Sequence, residues 1–356
     1  MITAYGWSAS LAEAFAAFAQ AGYAPGRVVV QHRESYDVVT EHGEVRAKIS
    51  GRLREGAAEA GYPAVGDWVA LSLEGGEGAA VIQEVLPRRT AFVRRAADST
   101  QRTQVIAANI DVAFVVTSLN ADLNPRRIER FLAAAWQSGA RPVVVLTKAD
   151  LSEDPQGQAA AIAEVAAGCP VLVVSARAGV GLDGLLDQVA VGETCVLIGS
   201  SGVGKSTLVN ALAGTERMAT DAIRAGDDRG RHTTSHRELI LLPGGRLILD
   251  TPGVREVGLI DAEEGVSAVF DDIERLAEGC RFSDCGHASE PGCAVQAALA
   301  DGTLDAARWA SFQKLGVEVA SVEAKTDRAS REAERRRAAA LQRAYRTTKR
   351  NDRGGA

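Results

Sequence analysis

The sequence predicts a multidomain protein: a small all-β barrel, then an α/β unit with a mostly parallel sheet, then a small, mostly helical unit organised around a metal. Three observations predict it. Short strand-like runs punctuated by glycine fill residues 28–85, and strand and helix patterns alternate from Ile110 onward. Near the far end, three cysteines and a histidine crowd into fourteen residues. At 356 residues the chain exceeds what one compact core organises.

The Ala-rich segment Leu11 to Ala21 has no basic residues before it and is interrupted by Glu13, so it reads as an amphipathic helix within a lead-in unit 1–25 and not as an export signal. Ala24-Pro25-Gly26 reads as a turn. Val28 to Val30, Tyr36 to Thr40, Val45 to Ile49, Trp68 to Leu71 and Val81 to Val85 read as strands. Five short strands at this spacing suit a barrel such as an OB-fold, and periodicity alone equally allows an SH3-like barrel. The expected boundaries of this unit are 26–97.

In the second unit, 98–260, the order is strand Val112 to Thr117, helix Arg126 to Gln137, strand Pro142 to Leu146, helix Gln158 to Ala167 and strand Val171 to Val174. Helix Leu182 to Val189 and strand Thr194 to Ile198 follow. Such alternation means a mostly parallel sheet covered by helices on both faces. Arg237 to Leu242 and Arg246 to Asp250 read as a hairpin attached to it. Helices and the Cys/His cluster occupy 261–324. A tail, 325–356, closes the sequence, with eleven Lys/Arg against four Asp/Glu between Lys325 and Arg353, although the whole chain carries −6. No apolar run reaches the ~18 residues a spanning helix needs. The expectation is a cytoplasmic monomer without membrane attachment. Cys169 and Cys195, in or beside strands, read as small core residues.

Gly199-Ser200-Ser201-Gly202-Val203-Gly204-Lys205-Ser206-Thr207 fits G-x-x-x-x-G-K-[ST] between a strand and the helix Lys205 to Leu212. Glycines let successive N–H groups curl around phosphate oxygens, and the helix N-terminus adds partial positive charge. Lys205 is expected to reach the β- and γ-phosphates, and the Ser206 hydroxyl to ligate magnesium. Forty-five residues after Lys205, Asp250-Thr251-Pro252-Gly253 closes the hairpin. Asp250 takes the position that faces magnesium and its waters, and Gly253 offers an N–H to a γ-phosphate. Between the two lies Gly230-Arg231-His232-Thr233-Thr234, a polar segment from which Thr233 or Thr234 would cap the metal.

Thr147-Lys148-Ala149-Asp150 follows a strand and has the form of a guanine-reading element. Guanine presents two adjacent donors, N1–H and the 2-amino group, that one carboxylate accepts together. Adenine lacks that pair and would leave a buried Asp150 unpaired. Ser175-Ala176-Arg177, after the next strand, matches the element whose backbone N–H supports the guanine O6. Alone, T-K-A-D is a common surface string; its place one β-α-β unit before S-A-R and upstream of a phosphate loop gives it meaning. In Ras-like proteins both base elements follow the phosphate loop. Here they precede it, the order expected of a circularly permuted sheet.

Cys280-x4-Cys285-x-His287-x5-Cys293 supplies three thiolates and an imidazole, a soft donor set that closes a tetrahedral structural zinc site. The barrel-like start, the permuted motif order, D-T-P-G-V-R-E and this Cys/His spacing together resemble the ribosome small-subunit-dependent GTPase family (RsgA, also called YjeQ), over roughly residues 26–320. The resemblance implies an OB-fold, a permuted G domain and a zinc domain. It also implies a GTP-to-GDP hydrolase that is slow alone, is stimulated by the small ribosomal subunit and its rRNA, and acts in late maturation of that subunit. Two positions depart from common GTPase patterns. Thr147 stands where many have Asn and cannot copy both contacts of that amide. Val254 stands where Ras-like enzymes have a water-orienting Gln, a role for which His232 is the candidate. A P-loop kinase or ATPase is disfavoured by Asp150 and Ser175-Ala176. A non-catalytic nucleotide-binding scaffold for rRNA assembly is the alternative.

Overall fold

The computed structural model describes all residues except 57–60, 74–79, 96–102, 121–122, 167, 215–236, 251–262, 289 and 321–356. A short turn, Ile2–Tyr5, leads to helix α1 (Ala9–Gln20), started by Ser8, whose Oγ accepts from Leu11 N at 3.3 Å. Its apolar stripe packs Phe15 against Trp7 and the barrel's Trp68, with ring centroids 5.8 Å apart for Trp7–Phe15 and 5.0 Å for Trp7–Trp68.

Strands β1 (Ala24–Gln31), β2 (Tyr36–Thr40), β3 (Gly43–Ile49), β4 (Trp68–Ser72) and β5 (Ala80–Val85) form the barrel, with the short helix α2 (Gly51–Gly56) after β3. Their order is β1-β2-β3-β5-β4, β4 returns to pair with β1, and β3 with β5 is the one parallel pair. That closure selects the OB-like alternative. The inside is filled by Val28, Val38, Ala47, Val69, Leu71 and Ile82. Ala24-Pro25-Gly26 is not the expected turn but the first part of β1. A Cβ on Gly26 would stand 2.5 Å from Val38 Cγ1 and 2.6 Å from Leu71 Cδ1. The glycine permits close approach inside the barrel, and Pro25 lies where β1 has only β4 as neighbour.

A ribbon the sequence reading missed, β6 (Ala91–Arg95) with β7 (Thr103–Ala108), pairs across the position expected to separate the first two units. The α/β unit then runs β8 (Val112–Ser118), α3 (Pro125–Gln137), β9 (Arg141–Thr147), α4 (Pro155–Val165), β10 (Val171–Val173), α5 (Leu182–Leu186), β11 (Thr194–Ile198), α6 (Lys205–Ala213), β12 (Arg237–Leu241) and β13 (Leu247–Asp250). Helix α4 begins earlier than expected because Asp154 caps it, accepting from Gly157 N at 2.9 Å, and Pro155 starts its first turn.

Strand order is β10-β9-β8-β11-β13-β12, parallel except for β12. Side chains alternate across it: Ala113, Val115, Val144, Leu146, Val196 and Ile198 face α3 and α4, whereas Val112, Phe114, Val143, Val145 and Leu197 face α5 and α6. Strand β12 also pairs with β1 (Val30↔Glu238), so barrel and α/β unit share one eleven-stranded sheet. Arg27 pins this joint. Its buried guanidinium donates to Thr194 Oγ1 at 2.8 Å, to the carbonyls of Tyr5, Gly66 and Asn109, and lies 5.0 Å over the Trp68 ring. Burial lowers its pKa to about 10, which leaves it charged at neutral pH.

Helices α7 (Glu263–Val269), α8 (Asp271–Glu278), α9 (Ala294–Asp301) and α10 (306–320) form the last unit. It rests on α3. A Cβ on Gly265 would stand 2.2 Å from Ala133 O, so α7 meets α3 backbone to backbone. Phe270, Ile273, Val295, Ala298 and Leu315 continue the core cluster that starts on the sheet. No described helix is long and apolar enough to cross a membrane.

Candidate active site and metal centre

Thr147, Ile198 and Asp250 end three parallel strands at the same edge of the sheet, the edge at which open α/β sheets take their ligands. Gly199 leaves β11 at φ 147°, and a Cβ there would lie 2.2 Å from Val116 O on β8, so only glycine lets the loop turn here. Gly202 (φ 78°) and Gly204 (φ 98°) continue the curl into α6. Val203 is buried between them in the core under the loop, which anchors an otherwise exposed turn. Lys205 Nζ donates to Gly199 O at 2.7 Å and to Ser200 O, which arches the side chain over the concavity its own loop encloses.

The predicted base loop is tied to this phosphate loop at two points. Thr147 is buried, and its one hydroxyl proton faces Val203 O at 2.5 Å and Thr117 O at 3.1 Å. Lys148, held at φ 59°, donates from Nζ to Gly202 O at 2.7 Å. Threonine therefore still braces the phosphate loop. What it lacks relative to Asn is the reach toward a base.

Asp150 is exposed rather than buried, so a bound base would itself have to cover it. Its Oδ1 accepts from Ser175 Oγ at 2.5 Å, and that hydroxyl accepts from Ala178 N at 3.2 Å. The Ser175 hydrogen bond, aided by nearby Arg177 and Lys148, holds the carboxyl below its ordinary pKa, so Asp150 is ionised at neutral pH. The structure thus brings the T-K-A-D and S-A-R elements together, with Ala149 N donating at 3.2 Å to the carbonyl of Val174, the residue before Ser175.

Asp250 ends β13 directly beside β11, with Val196 opposite Leu249. Ser206 and Thr207 open α6, both partly buried. His232, Thr233, Thr234 and Gly253, with Val254, lie outside the described residues.

The four predicted metal ligands converge: Sγ of Cys280, Cys285 and Cys293 and Nδ1 of His287 lie within 4.8 Å of one another. Nδ1 is 3.5 Å from the sulfurs of Cys280 and Cys293, which are 3.9 Å apart. Zinc bonds of ~2.3 Å to sulfur and ~2.0 Å to nitrogen in a tetrahedron require edges of about 3.8 Å S···S and 3.5 Å S···N. The Cys3His group is therefore consistent with one zinc. Cys293 also starts α9, its sulfur accepting from Gln296 N at 3.4 Å. Cys169 and Cys195 are apart from this group and pack in the core, their thiols pushed up by burial to about 11 and about 12.

The family model for the RsgA GTPase matches residues 85–260. The small ribosomal subunit biogenesis GTPase RsgA of Opitutus terrae is 46% identical over 346 residues, 94% of each chain. Its counterpart in Streptomyces coelicolor is 50% identical over 333 residues, 93% of this chain and 90% of that one. The chain belongs to the RsgA GTPase family. The crystal structure of YjeQ from Thermotoga maritima superposes with a TM-score of 0.62 at 26% identity, covering 83% of this chain and 98% of that one. The structure of YloQ, a circularly permuted GTPase, gives 0.60 at 24% identity over 84% and 96%, a likeness of fold.

Within this RsgA fold, sequence reasoning named Thr147, Lys148 and His287 but missed how they are held, and it missed Glu290 and Gln296 beside the metal group. Among the described residues only Asn109, Lys148 and His287 are non-glycines at positive φ, and two of these carry predicted site chemistry. No local pattern marks a lysine or histidine for a left-handed backbone, so the sequence held no usable signal.

Proposed function

We propose that this chain hydrolyses GTP to GDP and phosphate, is stimulated by the small ribosomal subunit, and acts late in maturation of that subunit. The observation that carries this reading is the coupling of an ionised, Ser175-oriented Asp150 to the phosphate loop through Thr147 and Lys148. The relatives' names supply the partner. Thr147, Lys148, Ala149, Asp150, Ser175 and Ala176 read the base, and the loop Gly199, Ser200, Ser201, Gly202, Val203, Gly204, Lys205, Ser206 and Thr207 holds the phosphates. Ser206 and Asp250 face magnesium, which when bound neutralises charge developing on the phosphate oxygens. Gly253, Thr233, Thr234 and His232 complete the site around the γ-phosphate, with His232 in place of the missing glutamine. Cys280, Cys285, His287 and Cys293 hold one structural zinc.

The barrel, 26–97, and the basic tail, 325–356, are the rRNA-facing parts on either side of the G domain, 98–260, and the zinc domain, 261–324; the protein acts as a cytoplasmic monomer. Phosphate release from GTP and from ATP, each with and without small subunits, tests the reading. Release from GTP alone, raised by subunits, is the expected result. Equal release from ATP would overturn the base assignment, and subunit binding without phosphate release would leave a nucleotide-holding assembly scaffold instead.

A further inference from the structure

His287 differs from the other three ligands in its backbone. It sits at φ 55°, a left-handed conformation in which a Cβ meets the following carbonyl. Its coordinating atom in the cluster is Nδ1, three bonds from Cα, so the direction of that nitrogen follows the backbone closely. Something must hold the turn. Glu290 Oε1 accepts from Gly286 N at 3.0 Å, and Glu290 Oε2 accepts from Ala288 N at 2.9 Å. One carboxylate thus takes the two N–H groups that flank His287. On the other side, Gln296 Nε2 donates to His287 O at 2.6 Å.

We propose that Glu290 is a positioning residue of the metal centre: its carboxylate clamps the left-handed turn that aims His287 Nδ1 at the three thiolates. The proposal rests on the zinc reading given above. A carboxylate suits the task because it has an acceptor for each N–H, and hydrogen bonds to an ionised acceptor are the strong ones. Gln296 adds support from the first turn of α9, the helix that Cys293 starts, so the imidazole and one thiolate are referenced to the same element. The strain at His287 is then offset by these three hydrogen bonds whether or not an ion is bound, which makes the turn preorganised for the metal.

The test uses the full chain with its metal. Zinc content is measured in the parent protein, and zinc release to excess chelator is timed in the parent, Glu290→Ala and Glu290→Gln. Cobalt(II) replaces zinc for absorption spectra. Glu290→Ala is expected to release zinc roughly 10- to 100-fold faster, the usual scale for lost outer-shell partners. Its cobalt d–d bands should shift as the imidazole is displaced while thiolate charge-transfer bands persist. Glu290→Gln, of the same shape, keeps one acceptor and turns an NH2 toward the other N–H, so it should fall between. It carries the test if the alanine variant does not fold. Nucleotide affinity should be unchanged in both. A parent protein with one zinc and variants that release it within about twofold of the parent rate would refute Glu290 and leave the zinc reading standing. Faster release with an unaltered cobalt spectrum would make Glu290 merely structural and also refute the proposal. A parent with no zinc would end the metal reading itself.

Discussion

In an Arg308→Ala protein the carboxylate of Glu129, 2% exposed in the parent between α3 and α10, would keep Ser311 Oγ as its hydrogen-bond donor among the described residues. In the parent, Arg308 bridges three partners. It donates to Glu129 Oε1 at 3.2 Å, forks onto Asp272 at 2.8 and 2.6 Å, and reaches Val269 O at 2.9 Å, with its guanidinium 4.9 Å over the Phe270 ring. The Asp272 carboxylate is 45% exposed, and such surface pairs contribute about 0–1 kcal/mol. Stranding a buried charge costs more, about 3–5 kcal/mol. Arg308 itself keeps 12% exposure, so water can partly replace it and the lower end, about 3 kcal/mol, applies. Since about 1.4 kcal/mol is tenfold, amide exchange in α8 and α9 should accelerate roughly 100-fold, while β8 in the sheet core stays unchanged.

The pH dependence has a definite sign. Burial holds the Glu129 carboxyl above its ordinary value, and the Ser311 hydrogen bond and the charge on Arg308 pull it back. Removing Arg308 raises it further. A carboxyl raised in the folded state binds protons that the unfolded chain releases, so its penalty is full above the folded pKa and fades as pH falls toward the unfolded value. The Arg308→Ala deficit should therefore be largest near neutrality and shrink in acid. Exchange altered less than about threefold, or a deficit that grows as pH falls, would refute the claim that Glu129 is buried and charged.

Two further outcomes concern nucleotide chemistry. Asp150→Asn should weaken GTP binding roughly tenfold or more by losing a charge-assisted pair, and should favour xanthine nucleotides, whose C2 oxygen accepts from the new amide; equilibrium binding of both measures it. His232→Ala, scored separately for GTP affinity, subunit binding and stimulated turnover, should lose only turnover, by roughly tenfold or more. A variant that binds normally and turns over at the full stimulated rate would remove His232 from the mechanism.

The two candidate centres were legible as motifs because their chemistry needs particular residue types at short range. A phosphate loop requires its glycines and Lys205 within one turn, and a closed zinc site requires four soft donors within reach of one ion. The S-A-R element was legible for a related reason: in alternating β-α-β sequence, consecutive parallel strands end at one edge, so successive loops must meet. The Ala24-Pro25-Gly26 turn was misread, since Pro-Gly marks turns unless a close approach demands the glycine, and that approach belongs to β2 and β4.

What joins distant segments, within a unit and between units, was invisible. Thr147 meets Val203 across 56 residues, Arg27 meets Thr194 across 167, and Arg308 meets Glu129 across 179. A single buried arginine in a strand or glutamate on a helix reads locally as a solvated charge, because nothing nearby in the chain announces its partner. Motif spacing alone proposed which residue types stand near one another. How they are held, and that the base loop is tied to the phosphate loop, was decided by hydrogen bonds that exist only once distant segments are packed and water is excluded from between them.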